Sequence, residues 1–313
     1  MQNIVLEVKN LTKKFSGSSS GGGEFTAVDN ISFAIGNGEV LGLLGPNGAG
    51  KTTTIQMLLG VMEPTQGTIV YFGKEFKKHR EEVLKNINYS STYISLPWHF
   101  TVMEILDIFA DLYEVDNKKK RIQKLLEEFE MDSLQKKTFS MLSAGEKTRL
   151  LLTKAFLNYP KIILLDEPTA SLDPDIAVKV KHFLQKEKKE YNVSMLFTSH
   201  NMTEVEEMCD RILILHHGKI IDEDTPDNLT RRMSSCKIEL LIKEDTTKAF
   251  AFFTETKTSF TQEKFMFKIT TEEKEIPNFL SLLAKKKIEY QQISINKPDL
   301  EDYFLQAIEK EKT

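Results

Sequence analysis

Apolar residues fall along this chain in two kinds of run, and each predicts a different element. Short, nearly unbroken runs occur at Val40–Leu44 (VLGLL), within residues 161–167 (KIILLDE) and at residues 193–198 (VSMLFT). Runs of this length without alternation suit parallel strands buried on both faces. Helical spacing dominates residues 75–160. Val102, Ile105, Leu106, Phe109 and Leu112 follow Thr101, a predicted cap, and Ile122, Leu125, Leu126 and Phe129 repeat the pattern. The basic run 118–121 between them reads as a solvated helix start. A further helix spans residues 175–191. Residues 2–10 and 31–44 read as strands. Between them residues 16–23 are wholly Ser and Gly, the composition of a flexible loop. Residues 212–215 and 219–221 predict a hairpin turning at His216, His217 and Gly218.

The pattern changes near Arg231. Beyond it, KIELLIK and EKFMFKIT read as strands, IPNFLSLLAKKK as a helix between strands, and a last helix follows Asp299. The chain therefore divides, on sequence, into a large α/β domain at residues 1–232 and a small α+β domain at 233–313. The large domain contains a helical subdomain at about 75–160.

The 313 residues suffice for one large and one small domain. A net charge of −4 argues against general binding to nucleic acid or anionic lipid. Cys209 and Cys236 have no metal-type spacing and form no disulfide framework. No apolar stretch approaches the roughly twenty residues that span a bilayer. The start MQNIVLEVKN carries an early acid and reads as a strand rather than a signal peptide.

Chemistry enters at the ends of the apolar runs. Residues 45–52 read GPNGAGKT, matching G-x-x-x-x-G-K-[ST] between a strand and a helix-like run that ends at Gly60. In that setting the backbone N–H groups of residues 47–52 curl around nucleotide phosphates. The helix N-terminus adds roughly half a positive charge. Lys51 reaches the β- and γ-phosphates, and the Thr52 hydroxyl is placed to ligate Mg²⁺. The expected nucleotide-binding set is Gly45, Pro46, Asn47, Gly48, Ala49, Gly50, Lys51, Thr52 and Thr53.

Asp166 emerges at the C-terminal end of the apolar strand in KIILLDE, where open α/β sheets place their ligands, and a carboxylate there can hold Mg²⁺ through its water shell. Glu167, one residue on, is the general-base candidate; the bland alternative is an acid pair solvated before Pro168. Ser143-x-x-Glu146 in Leu142-Ser143-Ala144-Gly145-Glu146 is a capping-box pattern. Alone it is a helix cap. With Gly145 and the helix dipole it could also present donors to an outside anion. Ser171-Leu172-Asp173 follows the acid pair, and His200 follows the third apolar strand.

The order GPNGAGKT, LSAGE, ILLDEP, SLD and TSH resembles the nucleotide-binding domain of ATP-binding-cassette (ABC) transporters, over roughly residues 1–230. The resemblance implies a P-loop NTPase fold of α/β class, with a mixed sheet and an inserted helical subdomain bearing LSAGE. It implies two such domains paired head-to-tail, each ATP lying between residues 45–52 of one subunit and residues 143–146 of the other. An aromatic residue ahead of the P-loop would stack on adenine, and Phe15 matches that place best, with Phe25 second. His200 would contact the γ-phosphate and hold Glu167 and the attacking water. Asp173 would communicate across the dimer.

The usual glutamine before the helical subdomain is missing. By position Thr92 stands in its place as a possible Mg²⁺ ligand, within Ser90-Ser91-Thr92. Ala144 and Glu146 stand where Gly and Gln are most usual, and both suit a helix start. The ending PDLEDYFLQAIE resembles the tail on ATPase subunits of bacterial exporters. The implied protein is the ATP-hydrolysing subunit of a membrane exporter. It would work with a multi-span permease at the cytoplasmic face of the cell membrane, with Trp98 and Phe100 expected near the groove receiving a permease helix. The alternative is a soluble ABC ATPase acting on ribosomes or DNA. Those relatives usually carry two cassettes in one chain or long coiled coils, and this chain has neither.

Overall fold

The computed structural model of the chain describes residues 3–16, 23–92, 94–233, 235–256 and 258–311. Of the predicted Ser/Gly loop at 16–23, residues 17–22 lie outside the described residues. The chain divides into two compact units, one ending at Pro226 and one beginning at Asp227. The break falls ahead of the expected one after residue 232, because the short helix around the fully buried Leu229 groups with the second unit.

In chain order the first unit comprises β1 (Ile4–Phe15), β2 (Phe25–Gly36), β3 (Val40–Leu44), α1 (Lys51–Leu58), β4 (Gln66–Tyr71), β5 (Lys74–Glu75), α2 (Arg80–Leu84) and β6 (Ile87–Ser91). The helices α3 (Val102–Leu112), α4 (Lys118–Glu128) and α5 (Ala144–Ala155) follow. The unit closes with β7 (Ile162–Asp166), α6 (Pro174–Tyr191), β8 (Ser194–Thr198), α7 (Met202–Met208), β9 (Arg211–His216) and β10 (Lys219–Asp224).

Two sheets result. One is antiparallel, in the order β2-β1-β4-β5; the other runs β10-β9-β3-β8-β7-β6. In the second, β3, β6, β7, β8 and β9 are parallel and β10 turns back on β9. Every residue of β3, β7 and β8 is buried, as the unbroken apolar runs require of strands covered on both faces. A shared core between the sheets joins Leu6 and Leu11 of β1, Leu41 and Leu43 of β3, Ile55 of α1 and Leu164 of β7. Register then does the positioning. Asp166 lies opposite Ser91 on one side and Thr198 on the other, so the chemistry-bearing strand ends share one edge.

Three expectations need correction. The stretch read as one strand at 31–44 is two, because the chain turns at Gly36–Gly38, where Gly38 adopts φ +71 and Glu39 N donates to the Gly36 carbonyl (3.2 Å). The helical subdomain does not run unbroken from 75 to 160, since β6 pairs with β7 inside the main sheet. Among the described residues of this stretch, α3, α4 and α5 pack on one another. The basic run at 118–121 is not all solvated. Arg121 is buried, its guanidinium 3.9 Å from the Tyr159 ring centre, with Nη2 donating to the Phe156 carbonyl (2.5 Å).

Helix α8 (Pro226–Arg231) starts at the break, and the second unit continues with β11 (Ser235–Leu241), α9 (Thr246–Glu255), β12 (Phe260–Glu263), β13 (Met266–Glu272), α10 (Ile276–Lys285), β14 (Gln292–Asn296) and α11 (Leu300–Lys310). Its antiparallel sheet has the order β12-β13-β11-β14, the βαββαβ arrangement of ferredoxin-like folds. Ile238, Leu240, Phe267 and Ile269 of the sheet pack with Phe253 of α9 and Phe279 of α10. Lys237, on the opposite face of β11, pairs with Asp302 of α11. Helix α9 and strand β12 had no counterpart in the sequence analysis, and the strand expected after IPNFLSLLAKKK, there without bounds, is β14.

Candidate nucleotide site

The turn after β3 is built from glycines for a steric reason. A Cβ on Gly45 would sit 2.3 Å from the Leu215 carbonyl oxygen, and one on Gly50 would sit 2.5 Å from that of Ala27. Gly48 and Gly50 also adopt φ of +80 and +106, a region that L side chains rarely enter. The result is a tight loop delivering Lys51 and Thr52 as the first residues of α1.

Lys51 Nζ donates to the carbonyls of Gly45 (2.5 Å) and Pro46 (3.2 Å), closing the loop on itself. Burial pushes its ammonium below the usual lysine value, against the opposing pull of Glu167 and Asp166. An amine held so has a reason to prefer a phosphate oxygen over two neutral carbonyls.

Asp166 is buried at the end of β7 and ringed by hydroxyls. Thr198 Oγ1 donates to its Oδ1 (2.7 Å); Ser91 Oγ (3.3 Å) and Tyr89 OH (3.4 Å) donate to its Oδ2. Burial, above all, pushes the Tyr89 phenol up to about 12. Glu167 leaves the strand in a left-handed conformation, φ +52, its N–H held by the Thr198 carbonyl (3.1 Å). His200 Nε2 lies 2.7 Å from Glu167 Oε1, and its imidazole is more than half exposed.

These groups border one cavity of about 380 Å³. Pro46, Asn47, Gly48, Ala49, Gly50, Lys51, Thr52 and Thr53 form its floor; Asp166, Glu167 and His200 stand at one side, and Phe15, Phe25 and Ala27 at another. Phe15 and Phe25 are directly opposite one another across β1 and β2, so both aromatic candidates reach the same rim. Gly45 supports the loop from behind and does not line the cavity.

Other expected residues lie elsewhere. Thr92 is half-buried just past β6, and it is Ser91, one residue earlier, that meets Asp166. The parallel register of β6 with β7 could have found it, had the pairing been known. Ser143 caps α5 in a full capping box. Its Oγ accepts from Glu146 N (3.2 Å), and its own N–H donates to Glu146 Oε2 (2.7 Å). The Lys137 ammonium, 2.8 Å from Glu146, is the chief cause holding that carboxyl below its usual range. Leu142 is buried, Ser143 and Ala144 are exposed, and none of residues 142–146 lines the cavity. Gly145 packs close to the Ser171 carbonyl, which an added Cβ would approach to 3.1 Å. Asp173 is exposed ahead of α6 and makes no cap hydrogen bond.

The donor set suits Mg²⁺, which takes one or two protein oxygens and fills its octahedron with phosphates and water. Thr52 and Asp166 supply such oxygens at one cavity. Among the described residues no cluster of three or more His, Cys, Asp and Glu offers an all-protein metal cage.

Comparison with known proteins agrees with this geometry. A family model described as ABC transporter matches residues 28–170. The bacitracin transport ATP-binding protein BcrA of Bacillus licheniformis is 34% identical over 233 residues, 74% of this chain and 72% of that one. The Nod factor export ATP-binding protein I of a Rhizobium species (strain N33) is 32% identical over 244 residues, 76% of each chain. A solved structure titled as the ATP binding subunit of an ABC transporter superposes with a TM-score of 0.65 at 29% identity. It covers 73% of this chain and 92% of its own.

Proposed function

Because the chain belongs to the ABC transporter family and is one of its ATP-hydrolysing subunits, we propose that it powers an exporter by closing head-to-tail on ATP with a second cassette. The observation that carries the reading is a separation. One cavity gathers Lys51, Asp166, Glu167 and His200, while the capped start of α5 stands exposed outside it. A phosphate on Lys51 therefore has a free flank, and Ser143, Ala144, Gly145 and Glu146 of another copy present backbone donors that suit it. Asp173, exposed and uncapped, is available to cross the same interface.

Within one copy the roles follow from position. The backbone of residues 47–53 and Lys51 bind and orient the triphosphate. Phe15 or Phe25 offers a ring face to the adenine. Thr52 and Asp166 would hold Mg²⁺, which when bound neutralises charge on the β- and γ-phosphates. Glu167 accepts the proton of the attacking water on its carboxylate. His200, whose Nε2 lies 2.7 Å from Glu167 Oε1, keeps that carboxylate pointed and would contact the γ-phosphate. Phosphoryl transfer asks mainly for positioning and charge neutralisation, so assembly of the site and its chemistry coincide.

Among the described residues no helix is long and apolar enough to cross a membrane. The chain would reach the cytoplasmic face of the membrane through a multi-span permease. Trp98 and Phe100, both well exposed before α3, suit the groove that takes a permease helix. Export as the direction is supported by the Leu300-Glu301-Asp302-Tyr303-Phe304 tail and by the relative named for Nod factor export.

The test is Glu167→Gln. With Mg-ATP it should keep binding, lose hydrolysis and accumulate as a dimer in size-exclusion chromatography with light scattering. A monomer at saturating Mg-ATP would sink the head-to-tail reading.

A further inference from the structure

Glu204 is buried on α7 and does not line the nucleotide cavity, yet it joins the two loops that carry the cavity's reactive pair. Its Oε1 accepts from Thr169 Oγ1 at 2.5 Å, and its Oε2 accepts from Ser199 Oγ at 2.6 Å. Thr169 follows Glu167 by two residues, and Ser199 immediately precedes His200. Ser199 Oγ is itself fixed by accepting from Asn201 N (3.1 Å), and Asn201 Oδ1 accepts from Glu204 N (3.3 Å). Both carboxylate oxygens thus hold short, charge-assisted hydrogen bonds, one to each loop.

The bracket sits where the sheet stops helping. The last paired residues of β7 and β8 are Asp166 and Thr198. Beyond them the loops keep one backbone bond, from Glu167 N to the Thr198 carbonyl. The 2.7 Å approach of His200 to Glu167 therefore needs another constraint. Thr169 also leads into Ser171, whose carbonyl packs on Gly145.

We infer that Glu204 is a positioning residue for ATP hydrolysis: its carboxylate ties Thr169 to Ser199 and so keeps His200 against Glu167. The inference rests on the roles assigned above to Glu167 and His200. Removing the bracket leaves the phosphate-binding loop untouched and loosens only the pair that handles water. The signature is a loss in kcat with nucleotide binding retained.

Steady-state hydrolysis and equilibrium Mg-ATP binding on the full chain test it. Glu204→Ala should lower kcat about ten- to a hundredfold, the scale seen when partners behind ligating groups are removed, with ATP affinity within about twofold. Glu204→Gln, which keeps the length and one acceptor, should recover most of that loss. The pair Thr169→Val with Ser199→Ala should reproduce the Glu204→Ala effect, and adding Glu204→Ala to it should cost nothing more. The pair also carries the test should Glu204→Ala fold poorly. A kcat within about twofold of wild type in these variants overturns the proposal, as does a parallel loss of ATP binding. Wild-type hydrolysis by Glu167→Gln would instead strike the underlying assignment, leaving the two failures distinguishable.

Discussion

Gly218 donates its backbone N–H to the carbonyl of Ala49 at 3.0 Å, so the hairpin of β9 and β10 braces the phosphate-binding loop. The Gly218 carbonyl in turn accepts from Asp29 N at 2.8 Å, on the strand that carries Phe25 and Ala27. Gly218 adopts φ +79, and a Cβ there would lie 2.9 Å from the Ala27 carbonyl oxygen. Gly218→Val should therefore lower stability by about 1–3 kcal/mol through backbone strain. It should also weaken ATP binding, since both walls of the cavity move. Thermal melts with and without nucleotide measure the two effects.

Lys51→Met separates binding from folding. The phosphate partner is lost, so Mg-ATP affinity should fall by more than tenfold in direct titration. The nucleotide-free protein should be no less stable, because burial already disfavours this ammonium and its partners there are two carbonyls. A large drop in apo melting temperature would contradict this account.

Lys154 gives a pH dependence with a definite sign. It is buried on α5, its ammonium 5.1 Å from the Phe109 ring centre, and burial lowers its pKa to about 8. Below pH 8 both folded and unfolded chains carry the proton, and the folded state bears the cost of burying charge. Between pH 8 and 10.5 the unfolded chain alone stays protonated, so the stability of the wild-type protein rises with pH. Lys154→Met should be more stable at pH 7, by up to about 3 kcal/mol. The advantage should fade through pH 8 to 10.5 in urea unfolding series. Equal stability at pH 7 would show that the cation–π contact offsets the burial.

Phe253 is fully buried among Phe260, Phe267 and Phe279, with ring centres 5.3, 5.4 and 6.0 Å away. Phe253→Ala should cost the second unit about 3–5 kcal/mol. Because Phe253 lies in a different compact unit from the nucleotide cavity, the ATP dissociation constant should not change. Limited proteolysis would show cleavage confined to residues beyond Pro226.

Elements were legible where local and tertiary demands agree. Thr101, and Ser143 with Glu146, announce helix starts by side chains that bond their own backbone, and in the structure both caps are full capping boxes, Thr101 being joined by Glu104. The α9 segment TTKAFAFFTE was not legible. Threonine and phenylalanine have no strong helical preference, and only packing of Ala249, Phe252 and Phe253 into the core decides their spacing. Arg121 misled for a similar reason. Its neighbours Lys118 to Lys120 suggested water, but the pocket made by Phe156 and Tyr159 comes from far along the chain.

The sequence by itself determined the chemistry on offer: a glycine turn ending in Lys51 and Thr52, acids closing a buried strand, and a serine-capped helix. Each is a local property, set by residue type and short spacing. Tertiary structure decided which of these meet. Parallel register put Ser91 rather than Thr92 on Asp166, drew His200 to Glu167 across two strand ends, and left Ser143 outside the cavity. Pairing between distant strands depends on how the whole core closes, and no short stretch of residues carries that information.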